Sequence, residues 1–281
     1  MYQQLTLEDI QNNTVLKKTW DFVCSMHHGQ YRKGTNKQGE CVPYTSHLFR
    51  VMEITANALG NPHLILQNNK LTQFLVIALT HDTIEDTKVN SKLKLAEALI
   101  PIVGKYYSIQ LAHVVKELSN PPEGFSGKTR QEKDENKKIW QVEHAQIMST
   151  PAKIIKMADQ ICNTIDCVDL QMSHKKNTDS AWSNDKKKAY IDKAFTVCKA
   201  CMCHTEHISD VQKKALAFLM NLATQAHDYA LLKIQHPHDS EKTFFEQLNA
   251  TSLPENEPLY LCKQYPSTHQ TNHFNFIRTH T

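Results

Sequence analysis

The stretch Leu71–Thr87, "LTQFLVIALTHDTIEDT", decides how this chain is read. Its first part is mostly apolar and predicts a helix over 70–82. Its end gathers His81, Asp82, Glu85 and Asp86 within six residues. Charged groups are seldom buried without a partner, so four polar side chains at the end of an apolar helix call for something to hold them there. Glu85 lies four residues after His81, and Asp86 four after Asp82, so each pair shares a helix face. His81 and Asp82 point about 100° apart, which still lets both reach one ion at a helix end.

Helical periodicity continues on both sides. Val15, Leu16, Trp20, Val23 and Met26 share one face, with Thr14 as the expected N-cap. "HHGQYRKGTNKQGECVPY" (27–44) breaks the pattern and reads as a polar, basic loop. "SHLFRVMEITANALG" (46–60) resumes a helix that stops at Gly60. Two helices are expected over 93–100 and 103–118, separated by Pro101. Residues 119–138 read as an exposed loop entering a charged helix start, with Lys/Glu alternation at 130–138 on a solvated face. "PAKIIKMADQICNTIDCVDL" (151–170) is amphipathic behind a proline in the first turn. Helices follow over 185–203 and 210–234, with a weaker one at 240–249. The strand signal is weak everywhere, so the expected fold class is all-α.

Composition narrows the function. The chain has 281 residues, 40% hydrophobic and 22% charged, ordinary for a globular protein with a sizeable core. Its 32 Lys/Arg against 29 Asp/Glu leave a net charge of +3, which does not suggest a nucleic-acid or anionic-membrane surface. No apolar run reaches the roughly 18 residues a membrane span needs. The N-terminus has no basic start and no apolar core, so no secretory signal is read. Eight cysteines without paired spacing are expected to be reduced thiols of a cytoplasmic protein. Sixteen histidines raise the expectation of metal or proton chemistry without locating it.

An imidazole and a carboxylate suit Mn²⁺, Fe²⁺, Zn²⁺ or Mg²⁺. Such an ion takes about four to six ligands, so the His-Asp pair predicts others elsewhere. His47 stands where a loop becomes a helix, and Asp159 sits among Ile154, Ile155, Met157, Ala158 and Ile161. Asn163, four residues after Asp159, can line the same pocket. Each residue also has a plain reading. Glu85 and Asp86 could be solvated acids, Asp159 a structural acid paired with Lys156, and His47 a surface histidine near an N-cap. Those readings explain the residues one by one; a single metal site explains them together.

"HHGQYRKG", "PYTSH", "ALTHDTIEDT" and "VEHAQIMSTPAKIIKMADQICN", in that order, resemble the hydrolase domain of the Rel/Spo alarmone enzymes, most of all the stand-alone small alarmone hydrolases. The likeness spans residues 20–200 approximately. It implies an all-helical HD-type phosphohydrolase bundle in which His47, His81, Asp82 and Asp159 bind one Mn²⁺. It implies that Glu85 and Asp86 act on the attacking water and the leaving group. Arg32 and Lys33 match a basic pair that packs over the nucleobase and contacts phosphates, and Asn163 matches an asparagine that contacts the nucleoside. Lys186 and Tyr190 in "WSNDKKKAYIDKA" match basic and tyrosyl phosphate contacts. Three positions depart from the family pattern: Thr80 replaces Leu, Leu48 replaces Pro, and the loop "GTNKQGECVPY" is longer. On this likeness, 1–204 are expected to form the hydrolase domain, 205–250 C-terminal helices packed on it, and 251–281 an irregular polar tail.

The expected reaction is hydrolysis of the 3′-pyrophosphate of (p)ppGpp to GDP or GTP, without synthetase activity. Lys153, Lys156 and Lys186 are further candidates for offsetting phosphate charge. The expected partner is a small nucleotide, and oligomerisation stays open. Two alternatives remain: the same fold acting on an adenosine alarmone or the 2′-phosphate of NADPH, and a silent domain serving as a nucleotide sensor or interaction module. "CKACMCHTEH", with Cys198, Cys201, Cys203, His204 and His207, hints at zinc but lacks a second spaced pair; its cysteines read as small apolar helix residues. His27 and His28 read as pocket-edge or surface residues.

Overall fold

The computed structural model describes residues 2–121, 124–172, 182–236 and 242–250. The expected tail, 251–281, lies outside them. The helices in chain order are α1 (Leu7–Gln11), α2 (Thr14–Met26), α3 (Tyr44–Leu59), α4 (Pro62–Gln67), α5 (Asn69–Thr80), α6 (Thr83–Asp86), α7 (Lys92–Val103) and α8 (Lys105–Leu118). They continue with α9 (Arg130–Ile147), α10 (Thr150–Asp169), α11 (Asn184–Cys201), α12 (Asp210–Gln235) and α13 (Phe244–Ala250). The fold is all-α, with one small sheet. Among the described residues, no helix is long and apolar enough to cross a membrane.

Three helices form the centre. In α3 every residue from Val51 to Leu59 is buried; in α5 the run Phe74 to Leu79 is buried; in α10 the buried run is long and includes Ile154, Ile155, Met157, Ala158 and Ile161. Helix α10 packs against α12, α11, α3, α8 and α5. One apolar cluster runs from Tyr2 to Leu248, so α12 and α13 share the core of the preceding helices. Each buried Leu or Ile contributes roughly 1.5–3 kcal/mol of transfer free energy, and such side chains fill the seams between these helices.

Several boundaries differ from the reading of the sequence. The N-cap of α2 is Asn13, whose side chain accepts from the Leu16 amide, rather than Thr14. Pro101 does not separate two helices: α7 runs through it to Val103. The break falls at Gly104, whose φ of +81° suits glycine. The segment read as a basic loop is a hairpin, β1 (Tyr31–Thr35) and β2 (Cys41–Pro43), with β3 (Gln171–Met172) on the other edge of β1. Its turn closes through Asn36, whose Oδ1 accepts from the Gln38 and Glu40 amides while Gly39 takes φ +79°. These strands are too short to show an alternating pattern. At Gly34 a Cβ would come within 2.9 Å of Leu170 Cβ, so the hairpin lies hard against the end of α10.

Two departures from the family pattern are absorbed locally. Thr80 is fully buried, and its hydroxyl donates to the Val76 carbonyl at 2.8 Å. Leu48 is fully buried inside α3, where proline would lack an amide hydrogen.

Candidate active site

The start of α3, the end of α5 and the middle of α10 meet at a common point. Helix α5 stops at His81, its C-cap, and Asp82 caps the short α6. The Nδ1 of His81 lies 2.7 Å from the Ala78 carbonyl, which can only accept. Nδ1 therefore carries a hydrogen, and Nε2 keeps its lone pair when the ring is neutral. His47, in the first turn of α3, sets Nδ1 3.2 Å from Cys162 Sγ on α10. Its Nε2 lies 3.4 Å from Asp159 Oδ1 and 3.7 Å from Asp82 Oδ2. His81 Nε2 is 3.1 Å from Asp82 Oδ2 and 3.8 Å from Asp159 Oδ1.

These atoms fit a divalent ion. Both Nε2 atoms are buried and have no hydrogen-bond partner. His47, His81 and Asp159 offer atoms that all lie within 4.8 Å of one another, and Asp82 joins them through the two imidazoles. Ligands about 2.1 Å from one ion sit roughly 3.0–3.5 Å apart, close to the separations seen. A second grouping, His47 with Cys162 and Asp166, is a poorer match. Burial pushes the Cys162 thiol well up, and Asp166 is already taken by Arg32.

The charges are strongly coupled. Burial works against a charge on His81, but the adjacent Asp82 carboxylate outweighs it and brings the imidazole to about 9. His47 is lowered, by burial and then by Arg32. Burial would raise Asp82 and Asp159, yet His81 holds the first, and Lys156 with His47 the second, below the usual carboxylate range. An ion bound here would displace the His81 proton, so its affinity falls with acid.

Glu85 and Asp86 lie beside this cluster. Glu85 receives the Asn120 amide at 2.6 Å and the Asn120 side chain at 2.8 Å. The Tyr44 hydroxyl contacts Asp82 at 2.5 Å and Asp86 at 3.0 Å. Burial, then the charge of Asp82, raises both acids above their ordinary values.

The site opens into a cavity of about 920 Å³. His47, Asp82, Asp159, Glu85, Asp86, Arg32, Lys33, Asn163, Lys186 and Tyr190 all line it, and His81 sits behind them. Arg32 is bound within the wall: it donates to Asp166 from Nε at 2.8 Å and from its terminal nitrogen at 2.7 Å, and to Asn163 at 2.7 Å. Its guanidinium also lies 5.5 Å from the Tyr44 ring centroid. Lys33, next along the strand, is exposed. Lys186 Nζ is 4.3 Å from the Trp182 ring, and Tyr190 meets the same ring edge-on at 5.5 Å.

Two expectations are corrected. Lys153 does not face the cavity; it is buried and donates to the Cys203 carbonyl at 2.6 Å. Lys156 does face it, 3.3 Å from Asp159. His27, read as a pocket-edge or surface residue, is buried behind the cavity wall, stacked on the lining Tyr44 at 5.1 Å with Nδ1 2.8 Å from the lining Gln30. His28 is exposed. Cys198 and Cys201 belong to the apolar core, and among the described residues no candidate metal grouping includes them.

Several lining residues were not singled out from the sequence. Asp166 follows Asp159 and Asn163 at helical spacing, and Tyr44 precedes His47 by three, so periodicity could have found both. Lys193 follows Lys186 and Tyr190 on one face of α11 in the same way. Asn120 and Trp182 lie outside helices, where no local pattern points to them.

The all-α fold brings a His-Asp dipeptide against an upstream histidine and a downstream aspartate, the arrangement that the resemblance to HD-type phosphohydrolases implies. Known proteins narrow the class further. The chain is 25% identical over 194 residues to the mouse guanosine-3′,5′-bis(diphosphate) 3′-pyrophosphohydrolase MESH1, covering 69% of this chain and 88% of that protein. It is 26% identical to the human protein of the same name over 193 residues, with the same coverage. The Xenopus tropicalis protein is 28% identical over 179 residues, 64% of this chain and 80% of that one. These relatives bear out the resemblance to the stand-alone alarmone hydrolases. No protein-family model matches the chain. A solved structure, described as a metazoan ortholog of SpoT that hydrolyses ppGpp and plays a role in starvation responses, aligns over 78% of this chain and 97% of its own at 19% identity, with a TM-score of 0.48.

Proposed function

We propose that this protein is a divalent-metal-dependent hydrolase that removes the 3′-pyrophosphate of (p)ppGpp. The observation that carries this reading is the convergence of His47, His81, Asp82 and Asp159, with two orphaned imidazole nitrogens, beside Glu85 and Asp86 in a cation-lined cavity. The names of the relatives point to the same substrate.

The four ligands would hold the ion, with Mn²⁺ the expected occupant. Such an ion supplies Lewis-acid polarisation of a phosphoryl oxygen and a more acidic water. The rest falls to side chains. Water adds its oxygen to the phosphorus next to the ribose, and the bond from that phosphorus to O3′ breaks. One member of the Glu85–Asp86 pair accepts the water proton, and the other supplies a proton to O3′. The raised affinity of both acids for a proton suits this exchange. Asn120 fixes Glu85, and Tyr44 ties Asp86 to Asp82. Arg32, held by Asp166, presents a guanidinium plane for a nucleobase, with Asn163 beside it. Lys33, Lys156 and Lys186 offset phosphate charge.

Unpaired cysteine spacing and the lack of a spanning helix among the described residues support a cytoplasmic setting. The test is pyrophosphate release from guanosine and adenosine alarmones, and phosphate release from NADPH, with Mn²⁺ and with a chelator. Guanosine alarmone turnover that needs metal and disappears in Asp82→Ala is expected. Undiminished activity in that variant would rule this site out, and nucleotide binding without turnover would favour a sensor.

A further inference from the structure

Lys193 stands apart from the other cations of the cavity. It lies on α11 three residues beyond Tyr190, lines the cavity, and is half-buried. Its Nζ donates to Gln141 on α9 at 3.0 Å and lies 5.2 Å from the Tyr190 ring. Among the described residues no carboxylate forms an ion pair with it. The charged groups around it are Lys137 and Lys138 from α9 and Lys156 and Asp159 from α10. Three like charges facing one half-buried lysine is an unfavourable arrangement for the protein alone. It becomes favourable when a polyanion enters.

The cavity also has a direction. Arg32, Trp182 and Lys186 lie toward the hairpin and the start of α11, and the arginine is already neutralised by Asp166. Glu85 feels the charges of Lys156 and Lys137, the same two lysines whose charges act on Lys193. Asp159 of the metal-type cluster lines the same cavity and acts electrostatically on Lys193.

We propose that Lys193, flanked by Lys137 and Lys138, forms the subsite for the distal phosphate of the substrate's 3′-pyrophosphate, and so selects a diphosphoryl over a monophosphoryl group at the metal. This rests on the hydrolase reading above and adds to it which phosphates are recognised, and where. A nucleotide bearing one phosphate at the reacting position leaves the lysines unpaired. One with two satisfies them.

The test is calorimetric titration of inorganic pyrophosphate, and separately of inorganic phosphate, into the Mn²⁺-loaded full chain and its Lys193→Gln and Lys193→Arg variants. Pyrophosphate affinity should fall about tenfold or more in Lys193→Gln, the loss of one charge-assisted contact. Lys193→Arg should retain most of it, and phosphate affinity should stay within about threefold throughout. In turnover, inhibition by pyrophosphate should weaken in Lys193→Gln while inhibition by GDP stays put. Unchanged pyrophosphate affinity, or equal loss of both anions, overturns the subsite. Tight, Lys193-dependent pyrophosphate binding without alarmone turnover would keep the subsite and remove the proposed substrate.

Discussion

At the scale of single residues, the cavity holds charges that a folded chain alone would not choose. Lys193 is the clearest case: burial first, then the Lys156 ammonium, lower it to about 8. The sign of the linkage follows. In the unfolded chain this lysine keeps its proton up to roughly 10.4. Between about 8 and that value the unfolded state binds more protons, so stability from this group rises with pH; below 8 both states are protonated and the full penalty applies. Lys193→Gln, which removes the charge, should therefore raise the melting temperature at pH 7 by about 2–4 °C. The gain should shrink toward zero at pH 11, as compared by calorimetric melts of both proteins. A variant that is more stable yet weaker in pyrophosphate binding is what a binding residue, rather than a structural one, produces. Asp82, His81, Glu85 and Asp86 were legible in the sequence at this scale because they sit side by side on one helix end. Lys193 was not: a lysine on a charged helix looks solvated until the lysines of α9 and α10 are placed opposite it.

At the scale of elements, α5 does the positioning. Its apolar run from Phe74 to Leu79 is buried among α2, α3, α8 and α10. Ile77 is fully buried, and His81 follows it by one turn on the same face. Ile77→Ala should lower unfolding free energy by about 2–5 kcal/mol in denaturant titration, the cost of a cavity in a packed core. Loss of more activity than stability in that variant, under conditions where it stays folded, would show that core packing sets the position of His81 and Asp82. The hairpin is the element that sequence reading missed. Its strands are short, with Arg32 and Lys33 on β1, and they exist because Asn36 closes the turn and because Gly34 can lie against Leu170. That pairing places Arg32 against Asp166 and Asn163, residues of α10.

At the scale of the whole molecule, the proposed ion links the central helices. Its ligands come from α3, the end of α5 and α10, so binding favours the folded state alone. Mn²⁺ at a hundred times its dissociation constant should stabilise the chain by about 2.7 kcal/mol and raise the melting temperature on the order of 5–10 °C. Chelation should reverse the shift, and Asp159→Asn should reduce it; a melt insensitive to Mn²⁺ would speak against the site. The sequence by itself determined the helical class and the His81–Asp82 and Glu85–Asp86 pairs. These depend on periodicity and on neighbours one turn apart, which local spacing encodes. Only the tertiary structure decided that His47 lies 3.7 Å from Asp82 and Asp159 3.8 Å from His81, that Lys153 turns away while Lys156 faces in, that Arg32 is tied to Asp166, and that Lys193 stands among other lysines. The physical reason is that these contacts join segments far apart in the chain, and the burial of the apolar faces of α3, α5, α10 and α11 decides which polar residues come together.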